Sequence, residues 1–134
     1  MNADEFKKRT KAFAIRVIHL VDCLPNSKSA DAIANQLVRS GTSVGANYRA
    51  ACRAKSRADF ISKLSNVEEE CDESLYWMEL LIESHRVKAS RLAYLMREAN
   101  EILALVVASL NTARSRGNPQ SAVNNPQSAI RNRQ

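Results

Sequence analysis

Apolar side chains recur every three or four residues along most of this chain, the spacing of helices buried along one face. Phe6, Thr10, Phe13, Val17, Leu20 and Leu24 form the first stripe, in a segment expected over about residues 4–24. It stops where Pro25 disfavours helical backbone in the residue before it. A second helix is expected over about 29–55, with Ser29 as its N-cap and Asp31 in its first turn. Its stripe is Ile33, Leu37, Gly41, Val44, Tyr48 and Ala51. Ser56-Arg57-Ala58-Asp59 has the form of a capping box and opens a third helix over about 57–86. There the stripe runs through Phe60, Leu64, Val67, Cys71, Leu75, Met78, Ile82 and His85. The fourth, over about 90–113, buries Leu92, Leu95, Ala99, Ile102, Val106 and Leu110. Four such helices with short links can cover their stripes only against one another. The sequence therefore predicts an all-α, antiparallel up-down-up-down four-helix bundle over residues 1–113.

Beyond it the pattern lapses. Asn118-Pro119-Gln120-Ser121-Ala122-Val123 recurs as Asn125-Pro126-Gln127-Ser128-Ala129-Ile130, and residues 114–134 carry four Arg and no acid. A disordered tail is the expectation for such a polar, proline-punctuated repeat.

Composition narrows the class further. With 134 residues there is room for one domain. Three Gly, three Pro and 5% aromatic residues do not suit a turn-rich all-β fold. The absence of a long apolar run or an N-terminal apolar leader points to a cytoplasmic protein without a membrane partner. Cys23, Cys52 and Cys71 are odd in number and far apart, so they read as buried or half-buried thiols, not a disulfide framework. The two histidines, His19 and His85, complete no metal-ligand spacing with the carboxylates of Glu68, Glu69, Glu70, Asp72 and Glu73. No nucleophile has an identifiable base beside it. The expectation is a protein without catalytic residues, metal or cofactor. His85, near the end of the third helix, reads as a cation on the helix dipole.

Between Ser40 and Ala54 the second helix is dense in small residues, with Gly41 and Gly45 each costing about 1 kcal/mol against Ala in a helix interior. Such a helix is read as letting another backbone come close. A phosphate-cradling loop is a poor alternative, because Gly41-Thr42-Ser43-Val44-Gly45 follows no strand and lacks the Lys-Ser/Thr ending.

Charge is sorted along the chain. Residues 28–58 carry net +5 and residues 59–86 net −6, in a protein of net +6. Antiparallel folding sorts it again by height. One end collects Lys7, Lys8, Arg9, Lys11, Arg49, Arg53, Lys55, Arg57, Lys63, Arg114 and Arg116 against Asp4, Glu5 and Asp59, net +8. Arg49, Arg53 and Arg57 share one helical row. Arg53 is expected to face Ile61 and Arg49 to face Ser65, with Glu69 within Arg49's reach. A cluster unpaired in this way makes a field suited to phosphates. Lys7, Lys8, Arg9, Lys11, Arg49, Arg53, Lys55, Arg57 and Lys63 are thus the candidate contacts to RNA or DNA. A solvated basic end, or one that meets an acidic protein, is the alternative.

Three blocks occur in order: Gln36-Leu37-Val38-Arg39-Ser40-Gly41-Thr42-Ser43-Val44-Gly45-Ala46-Asn47-Tyr48-Arg49, Ser56-Arg57-Ala58-Asp59-Phe60-Ile61-Ser62-Lys63-Leu64, and Glu70-Cys71-Asp72-Glu73-Ser74-Leu75-Tyr76-Trp77-Met78-Glu79-Leu80-Leu81. They resemble the four-helix-bundle family named after proteins encoded in intervening sequences of 23S ribosomal RNA, to which the accessory variability protein of diversity-generating retroelements is similar. Ala50 and Cys71 depart from the family pattern, where an acid and Ala are usual. The resemblance implies a homopentameric ring without enzymatic activity and, in the retroelement branch, binding to nucleic acid and a reverse transcriptase. In such a ring Gly41, Gly45, Glu69 and Glu73 are the candidate subunit contacts. Two functions follow: a nucleic-acid-binding accessory protein, or an adapter for a charged protein partner.

Overall fold

The computed structural model describes residues 1–116, and the expected tail therefore lies almost wholly outside the described residues. Four helices follow one another: α1 (Ala3–Asp22), α2 (Lys28–Cys52), α3 (Arg57–Glu83) and α4 (Ala89–Ser115). Arg114 and Ser115, expected in the tail, belong to α4.

The registers run antiparallel at each seam. Phe6 meets Tyr48 at 4.7 Å between ring centroids, while Val17 lies against Gly41 across α1 and α2. The Ser74 and Ser40 hydroxyls hydrogen-bond at 3.0 Å between α3 and α2. The buried Cys71 thiol donates to the Ala99 carbonyl at 3.2 Å, tying α3 to α4. Arg9 reaches Glu98 and Arg16 covers Tyr94, which sets α4 against α1, the thinnest of the four seams. Nearly all the stripes read from the sequence are buried, with Phe6, Phe13, Leu37, Leu64, Met78, Leu92, Ile102 and Leu110 at its centre. The Ser40–Ser74 pairing also places Arg53 opposite Ile61 and Arg49 opposite Ser65, as expected for helices that turn near residue 57.

The helix ends differ by a few residues from the expectation. Pro25 closes α1 at Asp22, two residues early, with Cys23 as C-cap. Ser27, not Ser29, caps α2, its hydroxyl oxygen accepting the Ala30 N–H at 3.1 Å. Helix α2 ends at Cys52 instead of near Lys55 because the following residues turn to place Ser56 as the cap of α3. There Ser56 Oγ accepts the Asp59 N–H at 3.0 Å, and the Asp59 carboxylate accepts the Lys55 N–H at 3.1 Å.

Helix α3 stops at Glu83, short of the expected residue 86. The Arg86 N–H donates to the Leu81 carbonyl at 2.9 Å and the His85 N–H to the Ile82 carbonyl at 3.0 Å, the two bonds of a Schellman ending. This puts His85 at φ 62°, with its side chain exposed and outside the apolar stripe. Cys23 is exposed as well, contrary to the expectation of a covered thiol, because it caps α1 at the chain's first turn.

Candidate nucleic-acid interface

The expected basic cluster is divided by helix rotation. Lys7, Lys8 and Lys11 of α1 and Arg49 of α2 line one open groove of about 430 Å³ along the α1–α2 seam. Its remaining lining is Ala14, Thr42, Gly45 and Ala46. The small side chains follow from the close helix approach. A Cβ on Gly41 would lie 3.1 Å from both methyl carbons of Val17, and one on Gly45 would lie 3.1 Å from Thr10 Oγ1. The close backbone approach read from the sequence therefore exists, but it is made by α1 of the same chain. Gly41 is buried inside this seam against Val17 of the same chain. Gly45 is committed to the same seam and forms the groove's floor.

None of Lys7, Lys8, Lys11 and Arg49 forms an ion pair with a described carboxylate. Arg49 lines this groove and forms no ion pair with Glu69, whose reach was expected. Thr42 spends its hydroxyl on the Val38 carbonyl at 2.7 Å. The groove is thus lined by four cationic side chains together with Gly, Ala and Thr.

Arg53, Lys55 and Arg57 stand apart, exposed at the corner where α2 turns into α3. They too lack ion pairs among the described residues. Two expected members leave the cluster. Arg9 faces α4, where Nε meets Glu98 at 2.7 Å and Nη2 meets Glu98 at 2.8 Å and Glu101 at 2.7 Å. The Glu98 hydrogen bonds, with help from Glu101, raise its pKa against the opposing effect of burial. Lys63 is held by Asp59 at 2.8 Å, and this bond and the Lys55 N–H keep the Asp59 carboxyl below the usual carboxylate range. Arg114 hydrogen-bonds to Ser65 at 3.4 Å.

The acidic strip of α3 is likewise split. Glu68, Glu69 and Asp72 face a groove of about 360 Å³ toward α4, floored by Leu103 and Val107. Glu70 and Glu73 turn toward α2, beside Gln36, Arg39 and Ser40. Burial, then the Glu73 carboxyl beside it, pushes the Glu70 carboxyl up to about 7, with Arg39 opposing. Sequence reasoning missed Glu98 and Glu101 as partners of Arg9. Their three-residue spacing was visible, but only closing α4 onto α1 brings them to it. It also missed Tyr94, which is half-exposed with Arg16 over its ring and Arg97 farther off.

Among the described residues no group of His, Cys, Asp and Glu converges as metal ligands, and no helix is long and apolar enough to cross a membrane. The buried Cys71 thiol is pushed up to about 12 by desolvation, so it stays protonated at neutral pH.

A comparison with curated proteins found no match. Among solved structures, the chain is similar to a protein of unknown function from the S23 ribosomal protein family of Bacteroides thetaiotaomicron VPI-5482. The two share 36% identity over 78% of this chain and 97% of the other, with a TM-score of 0.73. The family model of the 23S rRNA-intervening sequence protein matches residues 4–108, nearly the whole helical bundle. On that match the chain belongs to the 23S rRNA-intervening sequence protein family.

Proposed function

We propose that this chain is a non-enzymatic nucleic-acid-binding accessory protein that grips the phosphate backbone in the α1–α2 groove. The observation that carries this reading is the convergence of Lys7, Lys8, Lys11 and Arg49, none ion-paired with a described carboxylate, above small side chains. Small residues let a sugar–phosphate backbone approach the helix surface, while the cations neutralise its charge. Arg53, Lys55 and Arg57 extend the same field around the corner. Arg9 and Lys63 are excluded from the contact set because carboxylates already hold them.

Contacts of this kind fix position without reading bases, so the binding is expected to be sequence-tolerant. Assembly into a homo-oligomeric ring, carried over from the family resemblance, would repeat the groove around a rim. The exposed Glu69 and Glu73 remain candidate subunit contacts for it.

The test is a variant carrying Ala at Lys7, Lys8, Lys11 and Arg49. It is expected to lose binding to RNA and DNA while keeping its circular dichroism and its size in light scattering. Retained affinity in the folded variant would contradict the reading. A second reading, an adapter for a charged protein, is favoured by the acidic groove of Glu68, Glu69 and Asp72 over Leu103 and Val107. It predicts a nuclease-resistant complex lost on charge reversal at Glu69 and Asp72 and indifferent to the four-Ala variant.

A further inference from the structure

On the other flank of α1 the α1–α4 seam opens into a second groove, of about 520 Å³. Arg16, His19 and Leu20 come from α1, and Arg91, Tyr94 and Leu95 from α4. No carboxylate lines it. Tyr94 is 45% exposed, with the Arg16 guanidinium carbon 4.0 Å from its ring centroid and that of Arg97 at 5.8 Å. Neither Arg16 nor Arg91 is ion-paired with a described carboxylate.

A guanidinium laid on an aromatic face is held in one orientation, so its N–H edge is offered as a fixed fork for an anion. The ring is 45% exposed, so the part that Arg16 leaves uncovered offers a π surface for stacking. His19 lies three residues from Arg16, and Arg91 three residues from Tyr94, which places a further polar head one turn along each helix. Leu20 and Leu95 add apolar wall. A stacking face, a planar cation, an apolar wall and another cation a turn away match a heteroaromatic ring joined to a phosphate. The groove's volume also falls within the ordinary range of small-molecule sites. We propose that this groove binds a nucleotide unit, with its base against Tyr94 and Arg16 and its phosphate toward Arg91 and His19. This site is independent of the α1–α2 groove, whose lining contains no aromatic side chain. The nucleotide unit is either free or part of an unpaired single strand.

Calorimetric titration of the full chain at low salt tests this with AMP, adenosine, inorganic phosphate and a short single-stranded oligonucleotide. AMP is expected to bind more tightly than adenosine or phosphate. Tyr94→Ala and Arg91→Ala should each weaken it about tenfold, and Tyr94→Phe should retain it. In the variant carrying Ala at Lys7, Lys8, Lys11 and Arg49, AMP binding should still respond to Tyr94→Ala and Arg91→Ala. Circular dichroism checks that each variant is folded, which the exposure of Tyr94 and Arg91 favours. A response to Tyr94→Ala and Arg91→Ala seen with the oligonucleotide alone also supports the site and identifies a strand as its source. The proposal is overturned if AMP and the oligonucleotide bind no more tightly than phosphate, or if both substitutions leave them unaffected.

Discussion

Three residues sit in places that their chemistry does not favour. Gly41 allows the close contact of α1 and α2, and Val17, whose methyls crowd it, is β-branched and stiff. Gly41→Ala is therefore expected to destabilise the fold despite the ~1 kcal/mol gain in helix propensity, because overpacking costs about 1–3 kcal/mol. A lower midpoint in urea, with unchanged slope, would register it. Tyr48 is completely buried, and its hydroxyl has no well-formed hydrogen bond, with only the weak Cys52 thiol beside it. Burial, aided by the neighbouring Cys52 thiol, raises its pKa strongly. Tyr48→Phe removes the stranded hydroxyl and keeps the edge contact with Phe6, so denaturation should show a gain of about 1 kcal/mol. His85 holds a left-handed backbone that Gly adopts without strain, and His85→Gly should likewise stabilise by about 1 kcal/mol.

At the scale of the helices, α3 contains an acidic pair that works against it at high pH. The Glu70 carboxyl lies beside Glu73 and Glu69, with Arg39 of α2 as the facing cation. Its folded pKa of about 7 exceeds the ordinary value near 4.5, so the folded chain holds that proton more tightly than the unfolded chain. Stability from this group is complete below about 4.5 and is lost as pH rises through 7. Thermal unfolding should accordingly move to lower temperature between those values, and Glu70→Gln should flatten the dependence. The helices themselves were legible because period and capping are local: Phe60 through Met78 announces a buried stripe, and Ser56 announces its own cap. Partnership was not. The closeness required by Gly41 could be read from the second helix, but not whether α1 or another subunit supplied it. Lys8 and Arg9 are neighbours in sequence, yet the 100° between them sends one to the open groove and the other to Glu98. Only the relative rotation of packed helices decides which charges are neutralised.

Across the whole molecule, sorting by height and sorting by face act together. The antiparallel registers gather cations at one end, and helix rotation leaves four of them on a single open seam. The proposed role in holding polyanions rests on those four, since a phosphate contact requires a cation not already neutralised. Each phosphate neutralised on a duplex contributes a log–log slope of about −0.9 in binding constant against salt. The most direct measurement is that slope for duplex RNA and DNA, taken with the native chain and with the variant carrying Ala at Lys7, Lys8, Lys11 and Arg49. The account predicts that the four groove cations contribute about −3.6 to the slope per chain, and that the variant loses this share while helicity is unchanged and Arg53, Lys55 and Arg57 keep theirs. A flat salt dependence in the native chain, or an equal slope in both proteins, would contradict it.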